Sequence, residues 1–530
     1  MNKLILFLIV LLVTFATEAK SQVFNDQVYK FSKVLSLVKT FYVDSVNQDD
    51  LLEDAIVGML KELDPHSIYI TKDEVDEMNE PLQGNFDGVG IQFNILNDTI
   101  IVVSPISGGP SEKLGILAGD RIVTIEGANV AGNGIKNKDV VAKLRGEKGT
   151  IVNVAIWRKG EKELLDFAIV RDKIPIFSID AAFMATPDAG YIKLNRFAAT
   201  SMNEFSLAMD KLKKQGAKNL ILDLQGNSGG YLNIAIELAD NILGEKKLIV
   251  YTEGISSPKQ EYTSTSSGGF TEGKIIILVD EGSASASEIV SGAIQDWDKG
   301  LILGRRTFGK GLVQRPFNLP DGSMIRLTIA RYYTPTGRLI QKDYEGGYNE
   351  YSKDIINRYN HGELSNADSI HFPDSLKYKT LVLKRNVYGG GGIMPDFFIP
   401  IDTTNYSSYY RDLVRKGILN KFILTYIDAN RKSLSIEYPE FSKFRDNYIF
   451  SDKLLDELTA FAEKEELKLK PEEFNKSKED IRTQAKALLA RDLWDSSEFF
   501  EIMNIKNDAY LKAVELMNNT TEYNKMLGIK

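Results

Sequence analysis

The sequence predicts a multidomain α/β protein with a β-rich module inserted ahead of its main sheet and helical regions at both ends. Three observations predict it. At 530 residues the chain is too long for one hydrophobic core, so three or four domains are expected. From Asp180 to about Asp396, apolar strand-like runs alternate with helical patterns, as buried sheet strands require. From Gly84 to Ile169, short β-like runs alternate with glycine turns.

The first residues read as a leader rather than as fold. Met1-Asn2-Lys3 is a short positive start, Leu4 to Phe15 is apolar apart from Thr14, and small residues follow at Thr17, Ala19 and Ser21. This is the layout of a signal peptide over residues 1–21. The apolar run is too short for a comfortable permanent span. An exported protein is expected, with no membrane span after cleavage.

Residues 22–83 form the predicted N-terminal helical region. Val28, Phe31, Val34, Leu35 and Val38 recur at helical spacing. A second amphipathic stretch follows Asn47, with Asp49 and Asp50 suiting the positive end of a helix. Asp64-Pro65-His66-Ser67 ends it, and His66 reads as structural.

Residues 84–169 are the β-rich module. Its strand-like runs are 90–95, 99–103, 121–125 and 151–157, with short helical patterns at 110–114 and 138–144. The α/β region spans 170–402. Its strand-like runs are 189–194, 219–224, 248–251 and 274–279, and its helical patterns are 201–214, 231–243 and 285–297. The polar stretch from Asp343 to about Asp374 reads as an insertion or loop. Residues 403–530 are charged and helical, with Leu454, Leu458 and Phe461, then Ala485, Leu488 and Leu489, at helical spacing.

Composition narrows the chemistry. The net charge is −8, with no large block of either sign, so a nucleic-acid partner is not expected. Cysteine is absent, which removes disulfides and thiol catalysis. With only three histidines, His66, His361 and His371, no metal site or other cofactor is expected.

Four segments border the apolar strands. They are Asp223 to Gly230, Gly282 to Glu288, Thr307 to Gln314 and Tyr333 to Arg338. A serine at a helix start just past a strand lies at a sheet edge, among unpaired N–H groups that can hold an oxyanion. Gly229-Gly230 offers a second set of unhindered backbone donors. The serine needs a base, and no histidine lies in these segments. A lysine serves if burial makes its neutral amine available, and Lys310 between Gly309 and Gly311 fits. Gln314 can orient that amine only across a turn, because in a straight strand the two stand ~13 Å apart.

Together these motifs, with Asp64-Pro65-His66-Ser67-Ile68-Tyr69 and Gly392-Ile393-Met394-Pro395-Asp396, resemble the carboxyl-terminal processing peptidases, or tail-specific proteases. The resemblance runs from about Val23 to Pro400. It implies a ClpP/crotonase-like α/β core and a Ser/Lys dyad. Ser285 would be the nucleophile, Lys310 its base and Gln314 the assisting residue. The oxyanion hole would use the N–H of Ala286 and that of Gly229 or Gly230. The β-rich module resembles a PDZ domain, with Gly88-Val89-Gly90-Ile91 as the loop that binds a peptide carboxylate before an edge strand.

The implied function is a serine endopeptidase that cuts exported proteins near their C-termini, in a bacterial periplasm or cell envelope. Its partners would be proteins or peptides with free C-termini, and an adaptor or activator is a further expectation. The alternative is a catalytically silent PDZ adaptor. Each motif alone has a plainer meaning: serine caps helices, paired glycines make turns, and a lone lysine is a surface charge. Two departures from the family stand out. Ser228 occupies a position where many relatives carry proline, and the polar stretch between Gln341 and Gly392 is long.

Overall fold

A computed structural model describes residues 25–265 and 268–529. The expected leader lies outside the described residues.

The chain divides into two units. The first runs up to Lys72 and includes Pro316–Leu327. It holds a helix over 25–41, the helix Gln48–Lys61 and the short strand Ile68–Ile70. The Asn47 side chain caps the second helix by accepting from the Asp49 N–H. Beyond that helix, Asp64 accepts from the backbone N–H of His66 (2.8 Å) and Ser67 (2.9 Å). This turn starts the strand, which pairs antiparallel with Met324 to Arg326.

The second unit, Asp73–Arg315 with Thr328–Lys530, carries the main sheet. Its strands lie in the order Ile179–Met184, Ala189–Leu194, Asn219–Asp223, Ile275–Val279, Leu301–Gly304 and Phe397–Phe398. The first pair is antiparallel and the rest are parallel. Both faces of the parallel strands are covered, which is why they read as unbroken apolar runs. On one face Leu220, Leu222, Ile275 and Ile277 meet Leu212, Leu238 and Val290 from the helices Ser201–Lys214, Leu232–Leu243 and Ala286–Asp296.

The opposite face is covered by the last helices, Asp508–Asn518 and Thr520–Leu527. Tyr191, Ile221, Ile276 and Leu301 stand side by side in register there and pack on Ala513, Leu516 and Tyr523. The preceding helices, from Ser408–Arg415 to Ser496–Met503, build their own core around Leu413, Ile423, Leu458 and Leu489.

The β-rich module is a sheet in the order Ile91–Leu96, Thr99–Pro105, Arg121–Ile125, Ile151–Trp157, Leu165–Val170, so Ile91–Leu96 is an edge strand. Its neck is closed by the antiparallel pair Asn85–Gly88 and Asp172–Pro175. Arg121 pairs with Asp428 of the tail helix Ile418–Glu437 at 2.7 Å.

Two readings change. The run 248–251 belongs to the strand Leu248–Gly254. That strand pairs antiparallel with Ser257–Thr263 and with Arg331 to Tyr333, outside the main sheet. The polar stretch after Asp343 is not a bare loop, because it folds into the helices Gly347–Ser352 and Asp354–Asn360.

The tail helices make a testable claim on stability. Leu516→Ala, fully buried against the sheet, should cost ~2–5 kcal/mol. Leu511→Ala, 45% exposed on the same helix, should change stability by ~0.5 kcal/mol or less. Thermal unfolding of the two variants checks this, and equal losses would remove the packing assignment.

Candidate active site

The strand Ile275–Val279 is followed by a five-residue loop, Asp280 to Ala284, which leads to Ser285 at the start of the helix Ala286–Asp296. Ser285 has φ +55° and ψ −110°, a conformation that costs an L-residue ~1–3 kcal/mol. The surroundings impose it. Ser285 donates its backbone N–H to the Glu288 Oε2 at 2.8 Å, one half of a capping box.

Glu288 is fully buried and does more than cap. Its Oε2 also accepts the backbone N–H of Lys310 at 2.9 Å. Its Oε1 accepts from Gly309 N (2.7 Å) and Thr307 Oγ1 (2.6 Å). One carboxylate oxygen therefore anchors the peptide groups of both Ser285 and Lys310. Burial pushes the Glu288 carboxyl up to about 7, against the opposing pull of these donors.

The loop Asp223 to Gly230 is stitched to the serine loop. Asp280 Oδ1 accepts from Gly226 N and Gly282 N, both at 2.9 Å. Asn227 is buried; its carbonyl accepts from Ala284 N at 2.9 Å and its Nδ2 donates to the Leu194 carbonyl at 2.8 Å. Gly229, at φ +106°, passes so close that an added Cβ would lie 2.8 Å from Ser285 Cβ and 3.1 Å from Ala286 N. The Gly229 N–H is already donated to Asn227 Oδ1 at 2.8 Å. Gly230 forms a parallel bridge with Phe197, closed by the bonds Phe197 N to Gly229 O and Tyr231 N to Phe197 O. In that pattern the bridged glycine's own N–H points away from Phe197.

Lys310 is half-buried in the loop before the strand Leu312–Asn318. Arg358 and Lys342 are among the groups that hold this loop besides Glu288. Arg358, 3% exposed, comes from the stretch read as an insertion and donates to the carbonyls of Arg306 (2.6 Å) and Thr307 (3.1 Å). Lys342 stands over the rings of Phe308 and Tyr351, at 3.8 and 4.1 Å from their centroids. Gln314 lies within the strand, and its Nε2 reaches Thr328 Oγ1 at 3.4 Å.

In the β-rich module, Gly88, Val89 and Gly90 are buried and Ile91 opens the edge strand. Gly90 takes φ +74°, and Ser111 Oγ donates to the Val89 carbonyl at 2.6 Å. Among the described residues no group of histidines and carboxylates could hold a metal ion. No described helix is long and apolar enough to cross a membrane.

The roles of Glu288, Asn227, Asp280 and Arg358 are not among those the sequence predicts. Only Glu288 carried a signal, the Ser-x-x-Glu spacing.

Family models match four parts of the chain. Peptidase family S41 matches residues 188–347, and a PDZ domain matches 88–169. An activating protease CtpB N-terminal domain matches 12–74, and a family of unknown function matches 409–495. The carboxy-terminal-processing protease of Bartonella bacilliformis is 38% identical over 320 residues, covering 59% of this chain and 73% of that protein. The carboxy-terminal processing protease CtpB of Bacillus subtilis is 34% identical over 319 residues, covering 59% of this chain and 65% of that protein. The solved photosystem II D1 C-terminal processing protease aligns over 58% of this chain and 82% of its own, at 30% identity and TM-score 0.33. The chain belongs to the carboxy-terminal processing protease family, with an S41 peptidase domain, a PDZ domain and helical regions on both sides.

The Glu288 carboxyl has a pH signature. Its folded-state pKa lies above its ordinary value, so its contribution to stability is complete below about 4.5 and is lost as pH rises through about 7. Relative to Glu288→Gln, the wild-type protein should lose on the order of 3 kcal/mol across that window. Chemical denaturation of both proteins at several pH values checks this, and a constant gap would show that Glu288 does not titrate there. The amide offers only one acceptor oxygen to four donors, so activity should also fall ~10-fold or more.

Proposed function

We propose that this protein is a Ser/Lys endopeptidase that cuts exported proteins near their C-termini. The observation that carries this reading is the shared anchoring of Ser285 and Lys310 on one oxygen of Glu288, in a chain of this family.

In the proposed reaction Lys310, as the neutral amine, takes the proton of the Ser285 hydroxyl. The Ser285 oxygen attacks the scissile carbonyl carbon. The oxyanion forms against the backbone N–H groups of Ala286 and Gly230, since Asn227 holds that of Gly229. The lysine ammonium then protonates the leaving amine as the C–N bond breaks. Water attacks the acyl-serine as Lys310 takes its proton; the C–O bond to the serine breaks, the lysine ammonium returns that proton to the Ser285 oxygen, and the new C-terminal acid leaves and ionises in water. Gln314 is the proposed assisting residue, carried on the strand that follows Lys310.

The PDZ domain is proposed to select the substrate. A peptide would add a strand beside Ile91–Leu96, with its terminal carboxylate on the Gly88-Val89-Gly90-Ile91 loop. The leader pattern at the N-terminus supports export to a cell-envelope compartment. An adaptor or activator would act through the PDZ domain or the helical tail.

Cleavage of an unfolded protein with an apolar C-terminus tests the dyad. Ser285→Ala and Lys310→Ala should each abolish cleavage while leaving the thermal transition in place. Full activity in purified Ser285→Ala would sink the assignment. The full-length Ser285→Ala protein should also bind a fluorescent apolar peptide roughly tenfold or more tightly as the free acid than as the C-terminal amide. Equal anisotropy curves would take the carboxylate loop out of the proposal.

A further inference from the structure

We infer that Tyr332 is a positioning residue for the proposed Ser285–Lys310 pair, its buried hydroxyl donating to the Lys310 backbone carbonyl while lying beside that of Ser285. The inference rests on the dyad reading. Tyr332 is the penultimate residue of the strand Met324–Tyr333 and is 1% exposed. Its hydroxyl donates to the Lys310 carbonyl oxygen and lies 3.1 Å from the Ser285 carbonyl oxygen. Its backbone N–H donates to the Gly311 carbonyl at 3.0 Å, which fixes the ring against the same loop.

The arrangement complements that of Glu288. The carboxylate takes the N–H of Ser285 and of Lys310, and the phenol gives its one proton to the Lys310 C=O with the Ser285 C=O beside it. A phenol does this only while protonated. Burial, with the Glu288 charge nearby, pushes its ionisation well above the ordinary value.

The Ser285 carbonyl also accepts from the backbone N–H of Glu288 and Ile289, bonds that stay when the hydroxyl is removed. The Lys310 carbonyl loses the hydroxyl's proton outright. Small displacements of a catalytic group reduce rate strongly without altering substrate binding.

The test is Tyr332→Phe in the full-length protein, with Tyr523→Phe as control. Tyr523 donates its buried hydroxyl to the Ile275 carbonyl at 3.0 Å, on the sheet face away from Ser285. The expected result for Tyr332→Phe is a kcat ~10–100-fold lower, KM within ~2-fold, and a displaced acid limb in the pH profile of kcat. Tyr523→Phe should keep kcat and the pH profile even where its thermal transition falls as far. All rates are taken below both transitions. Wild-type kcat and pH profile in Tyr332→Phe would overturn the inference, as would a kcat loss no larger than that of the control. Ser285→Ala and Lys310→Ala run alongside: cleavage by either removes the dyad reading itself, whereas their inactivity beside a fully active Tyr332→Phe removes only the role of Tyr332.

Discussion

Four hydrogen bonds converge on the buried Glu288 carboxylate, and the geometry of the whole site follows from them. Taking a carboxylate out of water costs several kcal/mol. Charge-assisted bonds of ~1.5–3 kcal/mol each offset it. Losing any one donor would leave part of that cost uncovered. The serine turn, Thr307 and the lysine loop are thus held in one arrangement, and the unfavourable φ of Ser285 is sustained by it.

The same solution recurs around the site. The chain leaves its parallel strands here, so no ladder is available to satisfy its backbone groups. Side chains take over that task. The Asp280 side chain binds the glycine loop to the serine loop, that of Asn227 binds the Leu194 carbonyl, and Arg358 binds the carbonyls before Lys310. These side chains thereby fix the backbone around Ser285 and Lys310. The tail takes part as well, since Asn507 Nδ2 donates to Gln225 Oε1 at 2.9 Å, within the glycine loop.

Much of this architecture was readable in the sequence. The runs 121–125, 151–157 and 189–194 coincide with strands, because apolar β-branched residues bounded by turn residues leave few other choices. The sheet to which 248–251 belongs was not readable, since an apolar run carries no record of its neighbours. Leu165–Val170 escaped notice because half of its residues face solvent. At the site, the serine and lysine motifs announced themselves by type and order. Tyr332 and Arg358 did not. They act on backbone atoms far away in sequence, and nothing in their local pattern distinguishes them from core residues. Nor did the sequence announce that the Asn227 side chain holds the Gly229 N–H, a bond within a glycine-rich turn that leaves no pattern of its own.

The cover on the back of the main sheet comes from Asp508–Leu527, far downstream of Ser285 and Lys310. Until those residues have left the ribosome, the face of Tyr191, Ile221, Ile276 and Leu301 lacks the cover of Ala513, Leu516 and Tyr523. The nascent chain therefore carries Ser285 and Lys310 on a sheet still short of part of its cover. Chains fold domain by domain as they emerge, but this domain must wait for its final helices. The order of synthesis itself delays the moment at which the peptidase domain becomes whole.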